Sequence, residues 1–159
     1  MKITFLSLLL TVSFCCRAYQ DDLSSKNAKA EYNAWLKQQF NEKHQKLIPI
    51  VAVADIFYAC NLSRKVVASH HPFADLVNKR NKEQLAEDVM LCLGEDSMQS
   101  DVAINFGLIG CFNEQLAHLP KAEQEQKMML VNNVILSLSL EERKKSFTQC
   151  VTEQAIDYL

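Results

Sequence analysis

Six cysteines and four histidines are the residues of this chain whose types could carry covalent or metal chemistry. A cysteine beside a histidine base is a nucleophile for acyl transfer, and His, Cys and carboxylates at ligand spacing hold zinc. The spacing favours neither. Cys60, Cys92, Cys111 and Cys150 are dispersed, each in or at the end of an apolar stretch with helical periodicity, and none has a recognisable nucleophile context. His70 and His71 are adjacent, so their side chains diverge, and no third ligand follows at a usable distance; a solvated loop explains them. Glu141 and Glu142 could be an acid and base pair, but Ser139-Leu140-Glu141-Glu142 fits a capping box, in which serine and glutamate satisfy each other's backbone N–H groups. Met128-Met129 reads as core rather than a soft-metal site. No cofactor, no metal and no catalytic residue is expected.

What four dispersed cysteines do depends on the compartment. Met1-Lys2, an apolar run from Ile3 to Phe14, and Cys16-Arg17-Ala18 ahead of polar residues have the layout of a secretory signal peptide cleaved near Ala18. Lipidation at Cys15 or Cys16 is disfavoured, because bulky Phe14 precedes the first and a cysteine precedes the second. Residues 1–18 are therefore expected to be removed, leaving 19–159 as a single helical domain. The four remaining cysteines are an even set in an oxidising compartment, which suggests two disulfides. Spacing allows three connectivities. The favoured one joins Cys92 to Cys111 across a short loop and Cys60 to Cys150 between the central and last helices.

The formal net charge is −2, and losing Lys2 and Arg17 makes it more negative. Without a basic run there is little to attract nucleic acid or an anionic membrane. No second hydrophobic stretch of spanning length is read, so no membrane association is expected after cleavage.

Three glycines and three prolines in 159 residues leave room for few turns and long elements. Helical periodicity and cap signals recur, and no alternating stretch competes with them. The expected fold is all-α, a compact bundle of about five to six helices stapled by two disulfides. The first helix is expected from about Asn27 to Lys46, with Tyr32, Trp35, Leu36 and Phe40 as its apolar stripe. Pro49 suits the first turn of a second, central helix carrying Ile50 to Leu62. After Pro72 a third helical region, interrupted near Asn78–Asn81, ends at Leu93 with Gly94 as its cap. A fourth helix runs from Asp101 to about His118, and its Gly107 and Gly110 imply a close helix contact. Pro120 opens a fifth, running through Met128, Met129, Val131, Val134, Ile135 and Leu138, and Ser139 opens the last.

Three further positions bear on recognition. The loop of Glu95, Asp96, Ser97, Met98 and Gln99 combines acids, polar residues and one adaptable apolar side chain between two helices. A loop with a rigid base loses little conformational entropy on entering a partner's cleft. Asp55 interrupts the most apolar helix, and a buried carboxylate demands a structural partner or a ligand. Asn61-Leu62-Ser63 matches a glycosylation sequon, but inside a helix.

The residues Tyr58-Ala59-Cys60-Asn61-Leu62, Cys92-Leu93-Gly94, Gly107-Leu108-Ile109-Gly110-Cys111, and Leu138 to Arg143 through Phe147-Thr148-Gln149-Cys150 occur in that order behind a signal peptide. In this the chain resembles the small, exported, all-helical immunity proteins of the type VI secretion amidase system. The likeness spans roughly residues 50–159 through short motifs, none of them catalytic. It implies a periplasmic protein that inhibits a papain-like peptidoglycan amidase effector. It further implies a helical homodimer that presents a loop to the amidase cleft, here Glu95, Asp96, Ser97, Met98 and Gln99. Two other classes fit the same composition: a periplasmic helical chaperone or stress protein, and a secreted small-ligand carrier with an apolar cavity between stapled helices.

Overall fold

The computed structural model describes residues 12–68 and 71–159. Most of the expected leader and His70 lie outside the described residues. Among those described, the regular structure is entirely helical, as expected: α1 (Val12–Arg64), α2 (Phe73–Asn78), α3 (Lys82–Leu93), α4 (Asp101–Gln115), α5 (Lys121–Ser137), α6 (Leu140–Gln154) and a closing 3-10 turn (Ala155–Tyr158). The chain divides into two units, one ending at Glu42 and one from Lys43 to Leu159. In the first, Tyr32 and Trp35 stack at 5.9 Å, and Tyr32, Trp35, Leu36 and Phe40 are exposed.

The break expected before Pro49 does not occur, and the two expected helices are one. Proline inside a helix removes the hydrogen bond to the carbonyl four residues back and crowds it, at a cost of about 3 kcal/mol. Pro49 and Gln45, the residue whose carbonyl is freed, are both exposed, so water can satisfy that group. The turns that follow hold the helix in place, because Val51, Ala54, Ile56, Phe57, Ala59 and Cys60 are all buried. By length and composition Glu31–Arg64 also contains a stretch able to cross a membrane, contrary to expectation. Its apolar residues from Val51 to Cys60 are the centre of the second unit's core.

Around this segment the caps fall where the residue types require. Asn81 accepts from Gln84 N at 3.1 Å and starts α3, while Ser100 accepts from Ala103 N at 3.1 Å and starts α4. Ser139 and Glu142 form the expected capping box, and the hydrogen bonds from Ser139 hold the Glu142 carboxyl below its usual range. The two glycines of α4 mark two crossings. A Cβ on Gly110 would stand 2.2 Å from the Asp55 carbonyl oxygen, and one on Gly107 would stand 2.4 Å from the Phe147 ring. Helix α4 thus meets both α1 and α6 through neighbouring positions on one face.

The disulfides follow these crossings and correct the expected pairing: Cys60 bonds Cys92, and Cys111 bonds Cys150. Gly107 and Cys111 lie one helical turn apart on α4, and Phe147 and Cys150 one turn apart on α6. The seam that seats Phe147 on Gly107 therefore brings those two sulfurs together. A second correction concerns α5. Met129, expected with Met128 in the core, is exposed, as are Leu130, Val134 and Leu136, while Ile135 is buried.

Candidate partner-binding loop

The loop between α3 and α4 is held from three directions. Cys60–Cys92 ties the last turn of α3 to α1. Gly94 then turns the chain out of the helix at φ +68°, a region that disfavours side chains, and its N–H donates to Met90 O at 3.0 Å. The third restraint is Arg64, the last residue of α1. Its Nη1 donates to Cys92 O at 2.7 Å and Leu93 O at 2.9 Å, and its Nη2 reaches Asp96 Oδ2 at 3.4 Å. The guanidinium also lies over the Phe106 ring, 5.3 Å from its centre. One cation thereby caps the carbonyls at the end of α3, anchors the loop and packs on α4.

The five expected contact residues divide accordingly. Glu95, Ser97 and Gln99 are exposed. Asp96 is engaged by Arg64, and Met98 is half-buried against the core, so these two fix the loop's shape. Arg64 was not among the expected site residues, although it lies four residues after Cys60 and hence on the same helical face.

Several other described residues with chemical potential are already in use. The sulfurs of Cys60, Cys92, Cys111 and Cys150 are in disulfides, so none of these four is a free thiol. The His44 ring donates to Thr152 O at 2.8 Å, and Arg80 donates to His71 at 3.2 Å while pairing with Asp88. Among the described residues no three His, Cys, Asp or Glu side chains converge as a metal site would require. Asn61, the sequon residue, uses both ends of its amide on Val67, donating to its carbonyl at 3.1 Å and accepting from its N–H at 2.8 Å.

Asp55 has an unusual setting. It is fully buried, and its contact is Gln154, whose Nε2 donates to Asp55 Oδ1 at 3.4 Å. Burial pushes its carboxyl well above the usual range, opposed by the Gln154 hydrogen bond and reinforced by the charge of Glu114. Tyr158 donates to Glu114 at 3.2 Å, and burial and the neighbouring carboxylates push both Tyr58 and Tyr158 upward.

A groove of about 300 Å³ lies between α4, α5 and α6, lined by Leu108, Phe112, Leu130, Val131, Val134 and Ile135 among others. It continues onto the exposed apolar residues of α5. No protein-family model, curated protein or solved structure matches the chain.

Proposed function

We propose that the chain is an exported immunity protein that binds and inhibits a type VI secretion peptidoglycan amidase effector in the periplasm. The loop from Gly94 to Ser100 would be the segment placed in the amidase cleft. The observation that carries this reading is the loop's construction: a disulfide, a positive-φ glycine and Arg64 fix its base while Glu95, Ser97 and Gln99 face outward. An inhibitor that enters a cleft gains affinity by losing little conformational freedom, and this loop is already ordered. Two buried disulfides behind an apolar N-terminal helical segment are compatible with export. The homodimer implied by the resemblance would have an interface to form on, since α5 exposes Met129, Leu130, Val134 and Leu136 together.

The test is inhibition of the cognate amidase by the Glu95→Lys/Gln99→Lys double variant, which alters exposed side chains and leaves Arg64, Asp96 and Met98 in place. Calorimetry should show binding weakened at least tenfold with an unchanged thermal midpoint. Undiminished binding and inhibition would remove the loop from the interface.

A further inference from the structure

Two buried oxygens at the crossing of α1 and α6 lack donors: Asp55 Oδ2 and Gln154 Oε1. They are the second oxygens of two groups already joined by Gln154 Nε2 donating to Asp55 Oδ1. If Asp55 were a carboxylate, both would be acceptors with nothing to accept from, in a site where an unpartnered polar atom is strongly unfavourable. One proton resolves both. Placed on Asp55 Oδ2, it makes that oxygen a donor to Gln154 Oε1 and closes a cyclic acid–amide pair with two hydrogen bonds.

The surroundings favour the same state. From α4, Glu114 faces the site as an acid, and Gly110 brings the α1 backbone at Asp55 into direct contact with α4. From α1 itself comes Tyr58, and from the closing 3-10 turn Tyr158, which feels Asp55, Glu114 and Asp157. These groups are acids and phenols, and none supplies a positive charge to a carboxylate.

We propose that Asp55 is a neutral carboxylic acid in the folded protein, and that with Gln154 it forms a proton-dependent latch fastening the C-terminal end of α6 to α1. This device is independent of what the loop binds. Because the folded group holds its proton more tightly than the ordinary value of 3.8, the latch contributes fully below that pH. Its contribution is lost as pH rises through the folded value. The Asp55→Asn variant supplies the same two hydrogen bonds from an amide that does not titrate.

The experiment is an NMR titration of the assigned Asp55 side-chain carboxyl carbon in the disulfide-bonded protein, beside unfolding of wild type and Asp55→Asn across pH. The carbon should keep the shift of a protonated acid at neutral pH. The folding equilibrium constant of wild type relative to the variant should fall by up to tenfold per pH unit above about pH 4. Titration of Asp55 in the ordinary carboxylate range would overturn the proposal. So would a wild-type to variant ratio that does not change with pH. Should Asp55→Asn fail to fold, the wild-type titration alone decides between the two states.

Discussion

The two disulfide seams are alike as cross-links and different in what they hold. Cys60–Cys92 closes 32 residues and Cys111–Cys150 closes 39, so each restricts the unfolded chain by a similar amount, about 4 kcal/mol in the chain-entropy view. Both are buried. Around Cys111–Cys150, however, the packing is internal, with Phe147 on Gly107 and Val151 in the core. The Cys60–Cys92 seam runs out to the surface, where Arg64 and the Gly94–Ser100 loop begin. One staple secures the core, while the other also orders a surface.

Replacing each pair by alanines separates the two roles and carries the largest expected effect. Removing Cys111 and Cys150 should lower stability by about 4 kcal/mol, read as the denaturant midpoint, with the proposed amidase inhibition by the remaining folded protein nearly unchanged. Removing Cys60 and Cys92 should lower stability comparably and also weaken inhibition. Equal loss of inhibition in both variants would erase the distinction between the seams.

Arg64→Met sharpens the comparison with a smaller change. Methionine keeps apolar contact with Phe106 but leaves the Cys92 and Leu93 carbonyls and Asp96 without their donor. Because the arginine is partly solvated, the expected loss of stability is only about 1–2 kcal/mol. Inhibition should fall further than stability does, since the loop loses one of its restraints. Undiminished inhibition by Arg64→Met would show that the disulfide and Gly94 order the loop without it.

Much of this fold was legible in the sequence, because its signals are local. The starts expected at Asp101 and after Ser139 are found, with Ser100 and Ser139 each accepting from the backbone N–H three residues on. Gly107 and Gly110 announced close contacts by lacking the Cβ that each contact excludes. The features that escaped depend on residues far apart. Continuing α1 through Pro49 is decided by the burial of Val51, Ala54, Ile56, Phe57, Ala59 and Cys60 after it, a tertiary gain that outweighs a local penalty. Pairing Cys92 with Cys111 looked natural by proximity in sequence, but which faces of α3 and α4 meet which neighbours is set by packing.

The same reasoning explains the loop and α5. Glu95, Ser97 and Gln99 are exposed, whereas Asp96 and Met98 turn inward because Arg64 and the core receive them, a division the five residue types do not announce. Periodicity marked the apolar face of α5 but could not say whether this chain covers it. Met129, Leu130, Val134 and Leu136 remain exposed.

Hydrogen–deuterium exchange of the protein with and without the amidase proposed as its partner compares the loop with every other surface in one experiment. If the loop enters the cleft as proposed, exchange slows chiefly in residues 94–100 on adding the amidase. Slowing confined to α5, with residues 94–100 unchanged, would contradict the proposal.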